Sequence, residues 1–277
     1  MSHPRTKSIG VPHEVAVLST TRGSGATLLT AAAGLLIDDV VGRVGQSVIL
    51  MDADTGGGGL TDLTQFWKTV STTDVDGLLG FARDRIGLAH RSVLPYMRHV
   101  YTGDPRRRDM ALFPLGPDGR PGELPLVNGA LPGVVGAALA RLVEIQGCLI
   151  VDCGADRTPV TLEVCRRLEH IIVVGQSEPE GGGETARLVS WLTEHGLGGK
   201  VLGWVYNSPN GAQPTTADPA GAGPALMRLP YDRSAADTVA QGRLPERTAS
   251  PLLEALCERL LALWPDVLND GSWGRDE

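Results

Sequence analysis

The sequence predicts a doubly wound α/β domain, a mostly parallel sheet with helices on both faces, and two observations carry that prediction. Continuous apolar runs recur along the chain, as strands buried on both faces require, and stretches of helical length and helical apolar spacing fall between them. A length of 277 residues suits one large domain of this kind.

Taken in order, the first strand is Val15-Ala16-Val17-Leu18, and a helix follows over Ala26 to Val40. The second strand is Ser47-Val48-Ile49-Leu50-Met51. Thr102 to Leu126 contains Gly116-Pro117-Asp118-Gly119-Arg120-Pro121-Gly122, a density of turn formers that predicts a surface loop. A helix over Pro132 to Ile145, a strand at Cys148-Leu149-Ile150-Val151 and a helix over Thr158 to Arg167 come next. Ile171-Ile172-Val173-Val174 and Val201-Leu202-Gly203-Trp204-Val205 are further strands, separated by a helix over Glu184 to His195. Ser208 to Pro224 is rich in Gly, Ala and Pro and predicts a second surface loop. Pro251 to Trp264 is amphipathic and is expected to pack on the domain, which spans residues 1–268, while 269–277 form a flexible acidic tail. Such alternation gives three layers, with a ligand crevice at the carboxyl ends of the strands.

Composition narrows the function. A net charge of −7 argues against a whole-protein grip on nucleic acid. The one dense basic cluster, Arg106-Arg107-Arg108, is expected in a solvated loop. The first residues hold no apolar signal segment, and no apolar run approaches the roughly 18 residues that span a bilayer, so a cytoplasmic location is expected. Cys148, Cys153, Cys165 and Cys257 lack metal-site or disulfide spacing, and their apolar neighbours predict buried thiols.

The most informative segment joins the first strand to the first helix: Ser19-Thr20-Thr21-Arg22-Gly23-Ser24-Gly25-Ala26-Thr27-Leu28. Backbone amides of a Gly-containing turn and of a helix N-terminus can converge on phosphate oxygens, and Thr27 stands where a hydroxyl can ligate Mg²⁺. Against the pattern GxxxxGK[ST], Gly25 and Thr27 fit, whereas Thr20 replaces the first Gly and Ala26 the Lys. By itself the segment is equally a tight strand-to-helix turn. It resembles the deviant phosphate loop of the MinD/ParA family of P-loop ATPases, KGGxGKT, with Thr21 at the signature lysine and Ala26 at the second lysine.

Other segments extend the resemblance in order along the chain. Asp52-Ala53-Asp54 after the second strand is similar to the family's DxD, which implies that Asp54 orients the attacking water and Asp52 lies near the metal; the same two aspartates also suit a turn and helix cap before Gly56. Asp152, ending an apolar strand, resembles a Walker B aspartate holding Mg²⁺ through water, and Gly154 belongs to a switch-like loop. Asn207 resembles the family's adenine-contacting Asn, though it also suits a turn before Pro209. Leu229-Pro230-Tyr231-Asp232, followed by Gly242-Arg243-Leu244-Pro245, is similar to the family's C-terminal block, which places Pro230 and Asp232 beside the base.

The resemblance implies ATP or ADP with Mg²⁺ as ligands, bound by Arg22, Gly23, Ser24, Gly25, Ala26, Thr27, Leu28, Asn207, Pro230 and Asp232, with Thr27, Asp52 and Asp152 toward the metal. It also implies a nucleotide-dependent or constitutive homodimer that is read by protein partners. Loss of both lysines removes charge from the phosphates, so weak or absent hydrolysis by a positioning or regulatory switch is expected. The alternative is a slow ATPase in which Asp54 aligns water and Arg22, the other catalytic candidate, replaces lysine. Ligases and amidotransferases of the superfamily need the missing lysine, the iron-protein branch needs cluster-ligand cysteines, and a dinucleotide binder needs GxGxxG. A DNA role has no support in the charge pattern, and the acidic tail disfavours membrane attachment.

Overall fold

The computed structural model describes residues 14–41, 47–65, 67–68, 76–84, 87–100, 110–116, 130–145, 147–176, 181–207, 225–244 and 250–263. Eight strands form a single sheet: β1 (Glu14–Ser19), β2 (Val48–Asp52), β3 (Arg98–Val100), β4 (Met110–Phe113), β5 (Cys148–Asp152), β6 (His170–Gln176), β7 (Val201–Asn207) and β8 (Ala225–Leu229). Their order is β3-β4-β2-β5-β1-β6-β7-β8, and every neighbouring pair is parallel except β3 with β4. The helices are α1 (Ala26–Val41), α2 (Leu60–Leu63), α3 (Gly77–Arg83), α4 (Leu131–Ile145), α5 (Pro159–Arg167), α6 (Gly181–Glu194), α7 (Arg233–Ala240) and α8 (Pro251–Leu263).

Successive strand residues point to opposite faces, and the buried side chains divide accordingly. Ala16, Leu18, Ile49, Met51, Leu149 and Val151 pack beneath α3, α4, α5 and α6. Val15, Val17, Val48, Leu50, Cys148 and Ile150 pack against α1, α2, α7 and α8. Central strands buried on both faces must be apolar throughout, which is why β1, β2 and β5 read as unbroken runs. All four cysteines are buried, and none is in a disulfide. Among the described residues no helix is long and apolar enough to cross a membrane.

The expected helices at 26–40, 132–145, 158–167 and 184–195 all form, within a few residues at their ends. Thr158 sits just outside α5 as its N-cap, its hydroxyl accepting from the Thr161 amide at 3.2 Å. One expectation is corrected. Thr102 to Leu126 is not simply a surface loop, because Met110–Phe113 is a fully buried strand paired with β2. Four apolar residues suffice for an inner strand, and the glycines and prolines that mark a loop stand on both sides of it in sequence, Gly103 and Pro105 before and Pro114 onward after. The arginine cluster at 106–108, the loop at 208–224 and the acidic tail lie outside the described residues.

Parallel pairing delivers the functional residues to one edge. In register, Asp52 stands beside Asp152 and Val17 beside Asp152, so β1, β2 and β5 end at the same level. The loops beyond are stitched together: Ser19 N–H donates to Gly154 C=O at 2.8 Å, Cys153 N–H to Val17 C=O at 2.9 Å and Ala53 N–H to Asp152 C=O at 2.8 Å. With β5 on one side of β1 and β6 on the other, this is the switch point where open α/β sheets form their crevice.

Candidate nucleotide site

The turn between β1 and α1 takes its shape from bonds within itself. Gly23 and Gly25 adopt φ of +79° and +90°, values that favour glycine. Ser24 is fully buried, and its groups are spent on the loop: its amide donates to Thr21 C=O at 3.2 Å, its hydroxyl meets Ser19 Oγ at 2.5 Å, and its carbonyl accepts from Asn207 Nδ2 at 2.9 Å. The first helical bond runs from Leu29 N–H to Gly25 C=O at 2.9 Å, so the amides of Gly25, Ala26, Thr27 and Leu28 precede the helical ladder and line a cleft.

That cleft measures about 530 Å³ and lies between the turn on one side and the loops after β2 and β5 on the other. Arg22 to Leu28 and Ser19 form one wall; Asp54, Gly57, Gly58, Asp62, Leu63, Gly154 and Ala155 form the other. Among the described residues Arg22 is the only cation lining it, against the carboxylates of Asp54 and Asp62.

Three aspartates at the strand ends differ in their surroundings: Asp54 lines the cleft, while Asp52 and Asp152 are buried behind it. Asp52 is buried and saturated: Oδ1 accepts from Asp54 N–H at 3.0 Å, and Oδ2 accepts from the Thr61 amide at 2.7 Å and the Thr61 hydroxyl at 2.5 Å. It therefore acts as the anchor of α2, with Thr61 in turn accepting from Leu115 N–H at 2.8 Å. Asp54 Oδ1 accepts from Gly56 N–H at 2.9 Å, and its carboxyl abuts Gly154, where an added Cβ would lie 2.2 Å from Asp54 Cγ. The turn read from the sequence for this pair is present, and Asp54 also lines the cleft.

Asp152 is fully buried. Gly154 N–H donates to its Oδ1 at 3.2 Å, while its Oδ2 has no hydrogen-bond partner among the described residues. The Thr27 hydroxyl faces this carboxyl closely enough to favour its charged form. Burial nevertheless dominates, pushing Asp152 up to about 7 with the charge of Asp52 adding to the rise, and pushing Asp52 up to about 6 against the Thr61 bonds. Asp54 is also raised, by burial first, with Gly56 N–H and the Arg22 charge pulling it down.

These features test the fit of Mg²⁺ and a phosphate chain. A buried carboxylate oxygen without a donor, opposed by a threonine hydroxyl, is the oxygen pair a hard cation takes, and Mg²⁺ completes its shell with water and phosphate rather than with protein ligands alone. Accordingly, among the described residues no group of three acidic, histidine or cysteine side chains is arranged to hold a metal by itself. The residues fit.

Arg22 is neither idle in solvent nor turned onto its own loop. Its Nη1 donates to Gly57 C=O at 2.9 Å and its Nη2 to Asp156 Oδ2 at 3.2 Å, crossing the mouth of the cleft. The adenine-side residues are distributed differently from the sequence expectation. Asn207 is buried and holds the back of the turn through Ser24. Asp232 N-caps α7, accepting from Ala235 N–H at 2.9 Å, and ties it to α8 by accepting from Ser250 Oγ at 2.7 Å. Neither Pro230 nor Asp232 lines the cleft. Asp156, Thr61 and Ser19 were not picked out in the sequence. Their partners are distant along the chain or engage a residue type with no motif of its own.

The fold and the crevice define a parallel-sheet α/β protein with a phosphate-loop cleft at the switch point. Comparison with solved structures makes this more particular: the chain has the fold of the ParA and MinD ATPases. It superposes on a ParA family ATPase from Chlorobium tepidum TLS with a TM-score of 0.70 at 17% identity, covering 90% of this chain and 97% of that one. The septum site-determining protein MinD with Mg-ADP from Pyrococcus horikoshii OT3 gives 0.66 at 15% identity, with 90% and 95% covered. An McdA–ATP complex from Cyanothece gives 0.62 at 16% identity, with 92% and 97% covered. By sequence the chain matches no family model and none of the curated proteins compared with it.

Proposed function

We propose that the protein is a nucleotide-binding switch or scaffold of the MinD/ParA kind that positions or regulates a larger assembly, with weak or absent ATP hydrolysis. The observation that carries the reading is the buried, unpartnered Asp152 Oδ2 opposite Thr27, beneath a turn that keeps its phosphate-binding amides and lacks its lysines. On this reading the amides of Gly25 to Leu28 hold the phosphates of ATP or ADP, and Thr27 and Asp152 hold Mg²⁺, with Asp52 fixing the wall behind them. Bound there, the cation supplies the positive charge that lysine would otherwise provide. Solved structures of the same fold contain Mg-ADP and ATP, and one is a MinC:MinD cell division complex, which supports a protein partner for this chain; a homodimer is part of the same proposal.

Hydrolysis needs positive charge on the transferring phosphoryl group, a term worth about 3–4 kcal/mol per lost donor. Among the described residues only Arg22 lines the cleft as a cation, and it is held on the far rim. A second reading, slow hydrolysis with Asp54 aligning water and Arg22 supplying charge, draws support from the place of both in the cleft. Calorimetric titration with Mg-ATP and Mg-ADP, together with phosphate release from the wild type and Asp54→Ala, tests both. Micromolar binding without phosphate release supports the switch, Asp54-dependent release supports the slow ATPase, and the absence of any nucleotide binding overturns both.

A further inference from the structure

Three loops meet at the mouth of the cleft through one side chain. Arg22 belongs to the phosphate turn, Gly57 to the loop after β2, and Asp156 to the loop after β5. The crossing is possible only because residue 56 has no side chain: a Cβ there would lie 1.7 Å from Arg22 Nη2 and 2.4 Å from Asp156 Oδ2. Asp156 is in turn fastened to the start of α5, its carbonyl accepting from the Thr158 amide at 3.1 Å and the Thr161 hydroxyl at 2.6 Å.

We propose that Arg22, Asp156 and the Gly57 carbonyl form a phosphate-displaced bolt, which ties the two facing loops across the mouth of the cleft and releases them when a polyphosphate settles on the turn. This rests on the nucleotide-binding reading above. The chemistry is a competition for one guanidinium. In this structure it serves a single carboxylate and a carbonyl at an exposed site, with the Arg22 and Asp156 side chains 56% and 44% accessible, and such pairs are weak. A phosphate chain held by the amides of residues 25–28 brings several negative charges beside Arg22 on its own loop, and guanidinium binds phosphate oxygens in pairs. Moving to them frees Gly57 and Asp156 together. The bound state is then written into the loop after β2 and the start of α5, which are surfaces another protein can read.

The first test needs no nucleotide. Hydrogen exchange of the 55–58 and 154–158 amides is expected to rise about two- to fivefold in both loops for Arg22→Ala and for Asp156→Asn, the range an exposed ion pair supports; exchange unchanged from wild type in either loop overturns the bolt. The second is a Mg-ADP titration of wild type, Asp156→Asn, Arg22→Ala and the double variant. Asp156→Asn is expected to tighten binding about two- to fivefold, and that gain is expected to vanish when Arg22 is already Ala. A gain that persists without Arg22 is mere relief of repulsion and overturns the proposal. Should wild type bind no nucleotide, the functional reading fails, while the exchange measurement still judges the bolt.

Discussion

The two walls of the cleft are built on opposite plans. The phosphate turn is shaped by uncharged bonds, Ser19 to Ser24 and Asn207 to the Ser24 carbonyl, with glycines at positive φ. The facing wall stands on charge: Asp54 lines it, and Asp52 and Asp152 are buried behind it at the ends of β2 and β5, all three raised first by burial and further by neighbouring carboxylates. The shape of the turn rests on its uncharged bonds, and neither Thr21 nor Ala26 needs to be a lysine for it to form. The acidic wall has no such latitude, because each carboxyl holds a backbone amide: Asp52 that of Thr61, Asp54 that of Gly56, Asp152 that of Gly154.

The most severe break should come where the charged wall touches backbone. Gly154→Ala places a methyl 2.2 Å from Asp54 Cγ at φ +63°, a clash with a buried carboxyl added to left-handed strain. A loss of about 2–4 kcal/mol is expected by denaturant unfolding. In the neutral wall Gly25→Ala, at φ +90°, carries left-handed strain too but meets the uncharged amide end of Asn207, Nδ2 at 2.1 Å and Cγ at 3.2 Å, so a smaller loss of about 1–3 kcal/mol is expected. Equal losses would mean that the two walls are not built differently.

Next in size is the cost of charge itself. Asp52 and Asp152 bind protons more tightly in the folded chain, near 6 and 7, than at the ordinary 3.8. The stability linked to them is therefore full below about pH 4 and is lost as pH rises through 6 and 7. In EDTA, Asp152→Asn should raise the stability at pH 7.5 by about 1–3 kcal/mol and flatten its fall between pH 5 and 7.5. A variant less stable than wild type at pH 7.5 would show that the carboxylate is an asset of the fold rather than a burden kept for a ligand.

The same contrast governs what could be read in advance. β1, β2 and β5 were legible because strands buried on both faces must be unbroken apolar runs, and the aspartates ending two of them mark the crevice edge. β4 was hidden by its neighbours, four apolar residues entering a segment crowded with Gly and Pro. β3, Arg98-His99-Val100, is a three-residue edge strand with a polar face and leaves almost no pattern. In the site, Asp152 and Thr27 were legible by motif and position. The attachment of Arg22 was not, since its partner lies 134 residues away on another loop. Asp232 shows the opposite error of emphasis: Asp before a run of small residues is a plain N-cap signal, and the structure uses it so.

Restoring charge to the neutral wall sharpens the comparison from the other side. Ala26 lines the cleft as the first residue of α1, the position from which a lysine would reach the phosphates. Ala26→Lys is expected to tighten Mg-ATP binding about tenfold, the worth of a charge-assisted contact of roughly 1.4 kcal/mol. Ala26 is also buried against the α1 side of the core, so the longer side chain is expected to cost about 1–3 kcal/mol of unfolding stability. Unchanged affinity would indicate that the turn no longer presents its amides to phosphate.

The smallest effect should fall outside the cleft altogether. Lys200 Nζ donates to the carbonyls of Cys165, Arg166 and Leu168 at 3.2, 2.6 and 2.8 Å, closing the C-terminus of α5 with charge and hydrogen bonds together. Lys200→Met keeps the aliphatic stem and removes those donors, so a loss of about 1 kcal/mol is expected. The other end of α5, next to Asp156, is fixed independently by the Thr158–Thr161 capping box. Mg-ADP affinity in Lys200→Met should therefore stay within about twofold of wild type. If affinity falls along with stability, the acidic wall takes its position from the packing of α5 rather than from the strand ends, and the two walls differ in their support as well as in their charge.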